Sequence, residues 1–320
     1  MERNHLIDSL KLFCALLVVF IHCEYPYRLA VLPITDIAVP LFFALSGFFI
    51  FGSKHTWKRI GRIANIFVWS ALLYLMKTEF FHLLSVQHLW IPTWKNFLDL
   101  LLFNNVAFSI HLWYLPAYIY VLVIAFVIDR YGIWRWAFSA IIPLLALGVF
   151  IKYYIADVSP QCIYYYRNAF FVGLPYFLLG SFAKYTPPHQ CNINSLKSMS
   201  YSVVSCAIMF LLLGLRYNIL GNSLSAMVLK ELNLLIMVYL IVLYVTITKQ
   251  KMENNISSLG CRYSLYIYVF HVLIMQICEL LSSYLPDSIE ITYMYFHPMV
   301  VFALSIAFTY ILGRLRLIKL

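Results

Sequence analysis

Apolar residues in this chain fall into long, nearly unbroken runs rather than alternating stripes. A run of roughly 20 mostly apolar residues is the length that crosses a bilayer core as a helix. Such runs occupy approximately 6–23, 31–51, 60–77, 111–128, 134–155, 162–183, 199–217, 229–248, 261–284 and 293–313. The pattern predicts an all-α integral membrane protein, a polytopic bundle of about ten transmembrane helices. The stretch 78–110 interrupts the series. It carries Trp90, Pro92 and Trp94, and its apolar piece 97–103 is too short to span, which suits an interfacial position. The first run contains Asp8 and Lys11, and the following Glu24-Tyr25-Pro26-Tyr27-Arg28 lacks a small-residue cleavage pattern. A retained first helix is therefore expected.

Composition strengthens this reading. Of 320 residues, 63% are hydrophobic and 11% charged, against about a quarter charged in a soluble domain. Aromatic residues make up 18% and gather at the ends of the runs, as interfacial belts do. The net charge of +10 would suit a nucleic-acid partner if it were clustered. Here it is scattered over short loops, so no nucleic acid is expected. Ten spans put both termini on one side. Placing that side inside puts Arg3, Lys54, Lys58, Arg59, Arg62, Arg130, Arg135, Lys249, Lys251, Arg314 and Lys319 there, among most of the 23 Lys and Arg. Both termini are therefore expected to be cytoplasmic. No internal repeat is visible, and residues 1–320 read as a single membrane-embedded domain.

The chemistry-bearing residues narrow the choice. The seven Cys form no CxxC pair and several lie in apolar runs, as packing residues would. Neither a phosphate-binding P-loop nor a Gly-x-Ser-x-Gly elbow occurs. No His/Cys cluster has metal-ligand spacing, so no metal is expected. Asp8, Lys11 and His22 share the first span. Lys11 and His22 are eleven positions apart, which separates them by only about 20° around an ideal helix and by roughly 16 Å along it. Asp8 precedes Lys11 by three and can pair with it. Ionisable groups facing lipid cost a few kcal/mol each, so this stripe should face the bundle interior or a wet cavity. The competing reading is snorkelling of Asp8 and Lys11 to one interface and of His22 to the other. His271, about ten residues into the ninth span, is either functional or an interhelical hydrogen-bonding residue. Ser46 beside Gly47 suits a close helix contact.

Several segments together resemble the membrane acyltransferase-3 family. Lys11, ten residues and then His22 match the family's basic residue and His on the first helix. The run Val39-Pro40-Leu41-Phe42-Phe43-Ala44-Leu45-Ser46-Gly47-Phe48-Phe49 is similar to its second span. Arg59-Ile60-Gly61-Arg62 matches its Arg-x-x-Arg. His111-Leu112-Trp113-Tyr114-Leu115, Leu174-Pro175-Tyr176-Phe177-Leu178-Leu179-Gly180 and Tyr263-Ser264-Leu265-Tyr266-Ile267-Tyr268-Val269-Phe270-His271 follow in the family's order. Lys11 stands where Arg is common, which keeps the charge and loses the bidentate geometry.

The resemblance implies an integral membrane O-acyltransferase of a bacterial inner membrane. It would move an acyl group, most often acetyl, from cytoplasmic acyl-CoA to a hydroxyl of a cell-surface glycan or lipid-linked sugar. Acyl-CoA would be a cosubstrate, with no permanently bound cofactor. Arg59 and Arg62 would hold CoA phosphates, for which guanidinium pairs are suited; alternatively they only orient the chain in the membrane. The pantetheine arm would follow the Lys11 stripe towards His22. His22 would be the general base, or carry the acyl group transiently. Asp8 and Lys11 would set the polarity of the cavity or touch CoA. His111, Arg167 and His271 would be the candidates to orient the acceptor or stabilise an oxyanion. The alternative is a transporter or flippase for a lipid-linked glycan or small solute, and a sensor without turnover is a third reading.

Overall fold

The first helix begins where a side chain satisfies one of its orphan backbone groups. In the computed structural model, described here over residues 4–85, 89–156, 160–186, 193–219, 223–248 and 252–318, the described residues are almost entirely helical. Arg3, Lys249, Lys251 and Lys319, used above for orientation, and Cys191 lie outside them. Helix α1 (His5–His22) starts at Asn4, whose side-chain oxygen accepts from the Leu6 amide at 3.2 Å. The Asn4 amide also donates to the carbonyls of Val245 and Thr248 at 3.1 and 3.2 Å. One residue thus caps α1 and ties it to the end of α11 (Leu224–Ile247). Asn4→Ala should lower stability by about 1–2 kcal/mol through the lost cap. A thermal melt of the detergent-solubilised protein would show it, and an unchanged melting temperature would refute the role.

Among the described residues, eight helical segments are long and apolar enough to cross a membrane: His5–His22, Arg28–Ile50, Thr56–Leu84, Ile110–Tyr131, Trp134–Ile155, Leu224–Ile247, Asn255–Ser282 and Ile289–Arg314. Two further predicted spans correspond to shorter apolar stretches, Ala169–Tyr185 and Met199–Leu212. Several segments differ from the hydropathy reading. The second span is broken into α2 (Arg28–Thr35) and α3 (Ala38–Ile50). Helix α4 (Thr56–Ser85) runs well past Lys77, and α5 (Trp94–Phe103) is the short helix of the interfacial stretch. The fifth span comprises α7 (Trp134–Ser139) and α8 (Ile141–Ala156), after α6 (Tyr114–Tyr131). The sixth is not one α-helix. It is a 3-10 segment (Pro160–Tyr165), a π-helical turn (Ala169–Gly173) and α9 (Leu174–Tyr185).

The chain divides into two compact units. The first comprises residues 1–42, 187–221 and 232–320. In it α1 packs along α12 (Asn255–Ser282), with α13 (Asp287–Arg314) against both and α2 against α10 (Ile193–Ile219). Its core takes Leu12, Ala15 and Val19 from one stripe of α1, Cys23 just beyond the helix, and Tyr263, Ile267, Ile274 and Cys278 from α12. The second unit comprises residues 43–186 and 222–231. There Gly47 of α3 lies against the Phe177 carbonyl and Gly180 of α9 against the Ala44 carbonyl; a Cβ at either position would overlap that oxygen. Small residues that let two backbones approach are a common device of membrane helix packing. The contact expected at Ser46–Gly47 is thus made by Gly47, whose carbonyl also accepts from Ser181 at 3.2 Å.

Candidate active site

The first unit brings two histidines together, one at the end of α1 and one midway along α12, in a tightly packed helix pair. Near the start of α12, Gly260 sits against the Asp8 carbonyl of α1, so closely that a Cβ would overlap it. Further along both helices, the Nε2 of His271 lies 3.3 Å from the Nδ1 of His22, with ring centroids 4.8 Å apart and the planes at 66°. The two helices therefore run parallel from Gly260 and Asp8 to the imidazole pair.

Backbone carbonyls on each side settle the tautomers. The Nδ1 of His22 is 2.8 Å from the Val18 carbonyl. The Nδ1 of His271 is 2.8 Å from the Tyr268 carbonyl and 3.2 Å from that of Ile267. A carbonyl oxygen only accepts, so both Nδ1 atoms carry hydrogen. A doubly protonated His271 would turn its Nε2–H towards the N–H of His22. With neutral His271 the contact becomes a hydrogen bond, His22 Nδ1–H donating to His271 Nε2. The lone pair of neutral His22 is then on Nε2. His271 is fully buried, whereas His22 is partly exposed.

The other predicted residues of α1 lie towards its start. Lys11 pairs with Asp8 at 3.0 Å; Asp8 is buried, and the Lys11 side chain remains 29% exposed. Pairing makes burial of the carboxylate tolerable. Arg28 donates to the Ile21 carbonyl at 2.7 Å, satisfying an orphan group at the end of α1, and it pairs with Glu24. His297 of α13 is buried, with its Nδ1 3.4 Å from the Glu24 carbonyl. Cys23, the thiol next in sequence to His22, is fully buried.

The second unit holds the remaining predicted residues. Arg59 and Arg62 lie in the opening turns of α4, half-buried and exposed respectively. His111 lies in a 3-10 turn (Ile110–Trp113) that leads into α6. It is buried, 3.0 Å from the Ser109 hydroxyl, and edge-on to Tyr74 at 4.6 Å. Arg167 does not open a regular helix. It lies between the 3-10 segment and the π turn, its guanidinium 5.4 Å from the centroid of the Trp113 ring. His111 and Arg167 thus flank Trp113 in sequence and in space respectively.

Two asparagines that sequence reading passed over hold this irregular backbone. Asn104, fully buried and left-handed at φ 61°, accepts from the Ala169 amide at 2.9 Å. Asn168 accepts from the amides of Phe170 and Phe171 and donates to the Tyr165 carbonyl. The available signal was polarity: Asn104-Asn105 and Asn168 interrupt apolar surroundings. His297 was also missed, although it stands in an apolar run immediately before Pro298. π-helical turns of this kind recur at functional sites.

A family model described as an acyltransferase domain matches residues 4–314. No curated protein and no solved structure matches the chain.

Proposed function

Because the chain belongs to the acyltransferase-3 family and is a membrane protein, we propose that it transfers an acyl group from acyl-CoA to a hydroxyl of a glycan or lipid-linked sugar, with His22 as general base. The observation that carries this reading is the tautomer of His22. Its Nδ1–H is committed to Val18 and His271, which puts the lone pair on Nε2. A neutral imidazole with that lone pair can take the acceptor's hydroxyl proton near neutral pH. The acceptor oxygen then attacks the thioester carbonyl, the C–O bond forms and the C–S bond breaks. The proton on Nε2 passes to the departing sulfur, giving the ester and free CoA. The neighbouring Cys23 is too deeply buried to compete as a nucleophile.

Arg59 and Arg62 are assigned to the phosphates of CoA. Helix α4 begins with no acidic residue in its first turn, and its opening turns carry Lys58, Arg59 and Arg62. Cations at a helix N-terminus oppose the macrodipole, whereas a bound anion there is favoured by both dipole and guanidinium groups. The Asp8–Lys11 pair contributes fixed polarity on α1, and His111 and Arg167 are assigned to acceptor orientation or oxyanion stabilisation. The protein is placed in a bacterial inner membrane with cytoplasmic termini.

The donor assignment has its own test. Arg59→Ala/Arg62→Ala should weaken acyl-CoA binding by about 10- to 100-fold, since two charge-assisted bonds are lost. Calorimetry or equilibrium dialysis with the purified protein measures it. Native affinity in a folded double variant would remove these residues from the donor site.

A further inference from the structure

Resting on the reading of His22 as the base, we propose that His271 is its positioning partner: a neutral imidazole that accepts the His22 Nδ1–H and steadies the imidazolium His22 becomes. The His22 Nδ1–H meets the Val18 carbonyl on its own helix and His271 Nε2 on another. The Val18 carbonyl lies four residues earlier on the same helix, where it also serves the backbone amide of His22. That oxygen is shared, so it restrains the ring only in part. His271 supplies a second acceptor from another helix, 249 residues away in sequence. Its own orientation is set by the Tyr268 and Ile267 carbonyls, which hold its Nδ1–H and so turn Nε2, as acceptor, towards His22.

This is the task a carboxylate performs behind a catalytic histidine, carried out by an uncharged group. When His22 Nε2 takes the hydroxyl proton, the ring becomes positive. Its Nδ1–H donation to His271 then becomes charge-assisted and stronger. The Nδ1 proton stays on His22. The Nε2 proton goes to the CoA sulfur as the C–S bond breaks, and both rings return to their starting tautomers. His271 need not touch acyl donor or acceptor, which distinguishes it from a substrate-binding or oxyanion residue. Strengthening a bond as charge develops favours the transition state over the ground state, so kcat should respond more than KM.

Two substitutions separate positioning from packing. In His271→Asn the amide falls where Nδ1 was, keeping the donation to the Tyr268 carbonyl and losing the acceptor that reaches His22. In His271→Gln the amide falls where Nε2 was, so its oxygen can accept from His22. Both variants, as full-length protein in detergent, are treated with diethyl pyrocarbonate, and carbethoxylation of His22 is followed by peptide mass spectrometry. This readout requires no acyl donor or acceptor. His271→Asn should slow modification of His22 by about three- to tenfold, and His271→Gln should restore most of it. In acyl-CoA assays His271→Asn should lower kcat by about 10- to 100-fold with little change in KM, again rescued by Gln.

Native reactivity and turnover in His271→Asn would overturn the proposal. So would a Gln variant no better than Asn when both melt like the native protein. If the carbethoxylation pattern holds but the native protein transfers no acyl group, the histidine pair stands and the functional reading falls. If transfer depends on His22 and not on His271, the pairing role alone falls.

Discussion

Replacing His22 with Ala should lower acyl transfer by about 10² to 10⁴-fold, the range of a lost general base, while the chain remains folded. His22 is partly exposed at the end of α1, so truncation removes little packing. The structural cost is a buried acceptor, His271 Nε2, left without the His22 donor; such a loss is about 1–3 kcal/mol. Transfer should therefore fall far more than stability. Acyl-CoA turnover at matched protein concentration, beside a thermal melt, separates the two. Full activity in a folded His22→Ala protein would remove His22 from the chemistry, and a transient acyl-His would fall with it.

The second large effect is structural. Gly260→Val should separate α1 from α12, because the Asp8 carbonyl occupies the space a Cβ would need. The obstruction is backbone, which no change of rotamer can move. Overpacking of this kind costs about 1–3 kcal/mol and sometimes more. The same contact anchors the helix pair that holds His22 and His271 further along. Activity should therefore fall even in the fraction that folds. Size-exclusion chromatography after heating reports stability, and the specific activity of the surviving monodisperse protein reports alignment. A Gly260→Val protein of native melting temperature would show that the two helices are not held this closely.

The long apolar runs were legible because a bilayer demands one property over a whole span, and hydropathy reports it. The α1 pairing of Asp8 with Lys11 was legible too, since helix geometry alone puts residues three apart on adjoining positions. What escaped was structure decided by distant partners. The sixth predicted span reads as one apolar helix from 162 to 183, yet Asn168 turns its own backbone inward and Asn104 takes the Ala169 amide. Lys77 reads as the end of the third span, but α4 continues to Ser85 because helix formation tolerates Lys77, Glu79 and His82 where hydropathy does not. His22 and His271 each stood out as an ionisable residue in an apolar run. That one ring would hold the other could not be read from spacing, because the approach is set by Gly260 and by the packing of Leu12, Ala15 and Val19 against Tyr263 and Ile267. The acceptor is likewise not written in any short motif.

Transfer of an acyl group from CoA to a hydroxyl is read out by supplying isotope-labelled acetyl-CoA to the cytoplasmic face of membranes containing the protein and examining envelope glycans and lipid-linked sugars by mass spectrometry. Label is expected in alkali-labile esters, formed with release of free CoA in equal amount and absent from membranes lacking the protein. Labelled esters appearing equally with and without the protein, or none in either case, would contradict that transfer.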